Sequence, residues 1–120
     1  MEKGYKKLKV FQEAHNLVKE VYSVTERFPK SELFGLISQM RRSVVSVPAN
    51  IIEGQARISK KEFKNFLSIA NGSLVELEYY LELALDLHYL DKIQYENIEK
   101  QRLITGQLLG GLIRHLKINS

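Results

Sequence analysis

Apolar residues recur along this chain at spacings of three and four, the period of an α-helix, and no long two-residue alternation interrupts them. The pattern predicts four helices. The first runs from about Leu8 to Arg27, with Val10, Phe11, Ala14, Leu17, Val18, Val21, Tyr22 and Val24 on its stripe. Phe28-Pro29 closes it, because a residue before proline is pushed out of the helical region. The second covers roughly Leu36 to Glu53, with Ile37, Met40, Val44, Val47 and Ile51 on one face. Pro48 lies inside it and predicts a kink or a break; Gly54 predicts a C-cap. The third opens on Ser59-Lys60-Lys61-Glu62, a capping box. It continues through Phe63, Phe66, Leu67, Ala70, Leu74, Leu77, Leu81 and Ala84 and ends near Leu87. The fourth starts close to Asp91, with Gln94 three residues on, and passes through Ile98, Leu108, Leu109, Leu112, Ile113 and Leu116. Short connections make neighbouring helices antiparallel. The expected fold is an all-α, up-down-up-down antiparallel four-helix bundle, helix 2 kinked at Pro48, in a single domain over residues 1–120.

Composition narrows what such a bundle does. With no cysteine there are no disulfides, thiolate nucleophiles or thiolate metal sites. No run of about 18 apolar residues exists to span a membrane. The basic stretch Met1–Lys9 is not followed by the apolar core of a signal peptide, so a cytoplasmic location is expected. The net charge of +4 is compatible with nucleic acid without being evidence for it.

The layout of charge says more. Helix 3 is charged against its own dipole, with Lys60, Lys61 and Lys64 at its start and Glu82 and Asp86 near its finish. An up-down-up-down bundle brings three segments to one end: Lys3, Lys6, Lys7 and Lys9; then Arg57, Lys60, Lys61 and Lys64; then Arg114 and Lys117. Glu2, Glu53 and Glu62 oppose them. The other end gathers Glu76, Glu78, Glu82, Asp86, Asp91, Glu96 and Glu99 against Lys92. The expectation is a polarised rod whose basic end meets an acidic partner; the plain alternative is solvated surface charge.

The central stretch, GLISQMRRSVVSVPANIIEG over residues 35–54, is followed by Arg57, by SKKEF over residues 59–63 and by ANGSLVELE over residues 70–78. Together with Ala14-His15 and Phe28-Pro29, it resembles the 23S rRNA-intervening-sequence protein family over nearly the whole chain. That resemblance implies a four-helix bundle, commonly assembled as a ring-shaped homopentamer. It is also similar to accessory proteins of diversity-generating retroelements, which implies RNA or a reverse-transcriptase-like enzyme as partner.

Individual residues carry further expectations. Asn50 and Glu53 are polar beside an apolar face, and a buried polar group needs a partner. They are expected to bond across the Pro48 turn or to Arg41, Arg42 or Arg57, as a structural polar network rather than a ligand site. Gly72, Gly106 and Gly110 sit within helices, where glycine costs about 1 kcal/mol relative to alanine, and suggest close approach of another helix. A second apolar line on helix 3, Ile69, Gly72, Tyr79 and Leu83, suggests a neighbouring subunit and hence a homo-oligomer.

Catalytic and metal chemistry find little support. His15, His88 and His115 lie on separate helices without metal-ligand spacing, and the Glu-x-x-His pairs of di-iron bundles are missing. Glu78, Glu82 and Asp86 form a repulsive acidic line that a basic neighbour would relieve. Tyr5, Tyr79, Tyr80, Tyr89 and Tyr95 offer rings for base stacking, or simply bundle edges. Two functions follow. One is a non-catalytic module, without cofactor or metal, that binds structured RNA or other nucleic acid through Lys6, Lys7, Lys9, Arg57, Lys60, Lys61, Lys64, Arg114 and Lys117. The other is an assembly scaffold that docks a protein with little affinity for RNA.

Overall fold

The computed structural model describes residues 4–118. Four helices carry the fold: α1 (Lys9–Thr25), α2 (Leu36–Gln55), α3 (Lys60–Asp86) and α4 (Lys92–Ile118). A short 3-10 turn, Gly4–Lys7, leads into α1, and another, Lys30–Glu32, joins α1 to α2. At 1.5 Å per residue the 27 residues of α3 rise about 40 Å, close to the 45 Å length of a molecule 24 Å by 23 Å across.

Each helix packs against two others, in the cyclic order α1–α2–α3–α4. The register is antiparallel at every seam. Arg41 of α2 meets Thr25 at the end of α1, and Ser43 and Ser46 of α2 meet Ser73 of α3. Arg102 of α4 meets Glu78 of α3, and Gln101 of α4 meets Glu13 of α1. The predicted stripes form the core: Ala14, Leu17, Val21, Met40, Val44, Val47, Ile51, Leu67, Leu77, Leu81 and Leu109 are shielded from water. Truncating any one of the large ones to alanine is worth about 2–5 kcal/mol.

The helix ends follow local chemistry. Ser59 Oγ accepts the amide of Glu62 at 3.1 Å. Asp91 and Gln94 form a full reciprocal box: Asp91 Oδ1 accepts the Gln94 amide at 2.7 Å, and Gln94 Oε1 accepts the Asp91 amide at 2.9 Å. At the end of α3 the amides of His88 and Tyr89 return to the carbonyls of Leu85 and Ala84, which puts His88 in the left-handed region at φ 64°.

Three expectations change. α1 stops at Thr25, two residues early, because the amides of Arg27 and Phe28 turn back to Val24 and Thr25 and carry Phe28 into the core. α2 runs through Pro48 without a break, in keeping with a helix that continues past its proline, and ends at Gln55, two residues beyond Glu53. Gly54 is therefore a helical residue and not the C-cap. A Cβ there would stand 2.7 Å from the Phe63 ring and 2.9 Å from the Phe66 Cβ, so glycine is what lets α3 lie against α2.

Candidate nucleic-acid interface

The antiparallel register delivers three chain segments to one end of the bundle. The 3-10 turn before α1 packs on the end of α2, and a Cβ on Gly4 would touch the Gln55 side chain. α2 hands over to α3 there, and α4 finishes beside the start of α3. Of the nine cationic residues expected at this end, Lys64 is half-buried; the rest, Lys6, Lys7, Lys9, Arg57, Lys60, Lys61, Arg114 and Lys117, are exposed. Lys3 and Glu2 lie outside the described residues.

Two of these cations have local anchors. Arg57 spreads its guanidinium 4.8 Å from the centre of the Phe66 ring and pairs with Glu53 at 3.2 Å. Arg114 lies back over its own helix, its guanidinium 3.3 Å from where a Gly110 Cβ would be, so that glycine makes room for a cation rather than for another helix. The acidic residues of this end are committed as well: Glu53 to Arg57, and Glu62 to the Ser59 cap. At the apex of the α2–α3 turn stands Ile58, fully exposed between Arg57 and Ser59. Helical periodicity says nothing about a turn residue, so this apolar tip had no signal in the stripe pattern.

The opposite end keeps its excess of acidic residues but also carries cations that the helix 3–4 junction alone does not show. The α1–α2 junction brings Arg27, Lys30 and Arg41 there beside Glu26 and Glu32, and α4 adds Arg102. Among the described residues Arg102 is the one buried charge, and sequence reasoning missed it. Its side chain is 8% exposed, its Nε donates to Glu99 Oε2 at 2.8 Å, and its Nη2 donates to Glu78 Oε2 at 2.8 Å. The bond to Glu99 makes the guanidinium hold its proton more firmly, against the opposing effect of burial. The acidic line Glu78, Glu82, Asp86 is thus relieved at its first member by a basic neighbour. An unmatched acidic line on α3, with Glu99 and Arg102 spaced three apart on α4, was the available signal.

Arg41, Arg42, Asn50 and Glu53 divide among separate places. Asn50 Nδ2 donates to the Ser46 carbonyl at 2.8 Å and to Ser46 Oγ at 2.9 Å. Ser46 Oγ in turn accepts from Ser73, and Ser43 Oγ donates to the Ser73 carbonyl, so a ladder of hydroxyls joins α2 to α3. Arg41 belongs to the α1–α2 seam, with Nε on Thr25 Oγ1 at 3.0 Å and its guanidinium 4.5 Å above the Tyr22 ring. Glu53 pairs with Arg57, and Arg42 is exposed beside the serine ladder.

The second apolar line of α3 also divides. Ile69 and Tyr79 are exposed, with Val75 between them, and a Cβ on Gly72 would meet nothing within 4 Å. Leu83 instead packs partly against the core. Gly106 faces inward: its Cβ would stand 3.3 Å from a Leu74 methyl, which is a close approach of α4 to α3. Of the tyrosines, Tyr79 is exposed, whereas Tyr5 packs on Phe11 and Tyr89 on Phe28. Among the described residues no three His, Cys, Asp or Glu side chains gather as a metal site, and no helix is long and apolar enough to cross a membrane.

Comparison with known proteins places this geometry among relatives. The family profile of the 23S rRNA-intervening sequence proteins matches residues 6–111. A crystal structure of a protein of unknown function from the S23 ribosomal protein family of Bacteroides thetaiotaomicron VPI-5482 is similar, with a TM-score of 0.78 and 29% sequence identity over 87% of this chain and 97% of that one. Among curated protein sequences nothing matches this chain.

Proposed function

We propose, from the premise that this chain belongs to the 23S rRNA-intervening sequence protein family, that it is a non-catalytic cytoplasmic protein that binds structured RNA through the basic end of its bundle. One observation carries the reading. Three separate segments bring nine cationic residues to a single end, and its acidic neighbours Glu53 and Glu62 are already engaged with Arg57 and Ser59. Phosphates are the natural counterpart of such a surface. Binding of this kind releases condensed counterions, so affinity falls steeply with salt and depends little on sequence. Lys60, Lys61 and Lys64, in the first two turns of α3, are the centre of the proposed contact, with Lys6, Lys7, Lys9, Arg57, Arg114 and Lys117 around them.

Fluorescence anisotropy of a labelled stem-loop RNA across a salt series tests it. The expected result is a logarithmic salt slope of about −0.7 to −0.9 per phosphate neutralised, with binding lost when Lys60, Lys61 and Lys64 are changed to Glu. Absence of binding at low salt, or binding that survives the triple reversal, overturns it.

The exposed Ile69–Gly72–Val75–Tyr79 face of α3 favours a second reading, in which the bundle assembles with copies of itself, as a pentamer by analogy with the family, and docks a protein partner. In a ring with parallel subunits the basic ends share one face, and avidity multiplies a weak contact. A protein that stays monomeric at working concentrations removes this reading and leaves the RNA contact to stand on one end alone.

A further inference from the structure

The loop between α1 and α2 holds an aromatic ring out in water. Hydrogen bonds from the amides of Glu32, Leu33 and Gly35 to the carbonyls of Pro29, Lys30 and Glu32 fix this loop, and the Glu32 carboxylate caps α2 at the Leu36 amide, 3.1 Å away. The ring of Phe34 is 93% exposed. A phenylalanine presents about 150–250 Å² of surface for burial, so leaving it in water forgoes a large apolar contact.

Beside it lies a cavity of about 320 Å³, between the end of α1 and the start of α2. Phe28, Leu33 and Ile37 give it an apolar lining, and Glu26, Lys30 and Arg41 are its charged members. The cavity is open to solvent on one side, and its volume exceeds the roughly 150 Å³ that holds benzene in an enclosed apolar site, so there is room for a phenyl ring to enter from outside. Leu33 lines the cavity and its chain neighbour Phe34 projects from the same loop. A knob and a hole on one patch meet the condition for an isologous contact, in which each copy offers the other the same surface. The charges suit such a pairing: with both signs around the cavity, a two-fold axis can set Glu26 of one copy opposite Lys30 or Arg41 of the other.

We propose that this end of the bundle is a self-association surface on which Phe34 of each copy enters the Phe28–Leu33–Ile37 cavity of a second copy. Two rings exchanged in this way bury less than the 1,200–2,000 Å² or so of a standard interface. The contact is therefore weak and concentration-dependent for a single pair. It leaves the basic ends pointing outward at opposite poles of the dimer.

The chain contains no tryptophan and no cysteine, so Phe34→Trp is a single optical probe in a conservative replacement. The expected result is a blue shift of its emission as concentration rises, while sedimentation equilibrium of the wild-type protein shows its basic unit doubling over the same range. Phe34→Ser, which removes an exposed ring and leaves the circular dichroism and melting of the bundle unchanged, is expected to abolish the doubling. Emission that stays that of a solvated indole at every concentration overturns the proposal, as does a Phe34→Ser protein that doubles like wild type. Because the readout is doubling of whatever unit the protein forms, it is independent of RNA binding and of assembly through α3.

Discussion

The two ends of this bundle are built on different plans. At the end where α3 meets α4, side chains from distant segments are bound together. Glu32 caps α2 with one oxygen and accepts the Tyr89 hydroxyl with the other at 2.9 Å; Phe28 packs on Tyr89; Arg102 holds Glu99 and Glu78. At the basic end Arg57 bonds to Glu53, one turn away on the same chain segment. One end spends its polar groups on itself, and the other leaves cations facing solvent. Internal satisfaction rigidifies an element, whereas exposed charge is accessible to a partner.

The contrast can be tested from its strongest point downward. Arg102→Ala should cost the most, about 3 kcal/mol, because it strands the largely buried Glu99 carboxylate and the Glu78 oxygen beside it. Urea unfolding would show this as a lower midpoint at unchanged slope. Gly54→Ala should cost about 1–3 kcal/mol, since its methyl would press on Phe63 and Phe66, and would show the basic end to be held by packing rather than by charge. His88→Gly should stabilise the protein by about 1 kcal/mol, by removing the left-handed strain of a residue with a side chain; thermal melting reports it. Changing Lys60, Lys61 and Lys64 to Glu should move stability by no more than a few tenths of a kcal/mol per site, with carboxylates now favourable at the start of α3. If that triple variant unfolds, the lysines are structural and the contrast between the ends fails.

Sequence reasoning reached the core because burial in a helix repeats every three to four residues. Met40, Val44, Val47 and Ile51 needed no partner to be recognised. The basic end was legible for a related reason: in an up-down bundle the ends of helices converge, so charges at helix ends add. What escaped notice depended on contacts distant in the chain or on turn geometry. Arg102 looks like surface until Glu78, 24 residues earlier, is seen against it. The Glu32–Tyr89 bond spans 57 residues. Gly54 was misread because a glycine near the end of a periodic run looks the same as a C-cap or as a notch for a neighbouring helix; the rings of Phe63 and Phe66 decide between them. Phe34 and Ile58 sit in turns, where no period predicts exposure.

The doubly engaged carboxylate of Glu32 has a mechanical consequence. It links the turn within the first hairpin of helices, α1–α2, to the turn within the second, α3–α4, so the two hairpins are latched at that end. At the other end the short α2–α3 connection joins the same two hairpins covalently, and the fit of Phe63 and Phe66 on Gly54 closes them there. The bundle is thus clamped at both ends, so its lysines ride on a closed frame whose shape is set before any partner arrives.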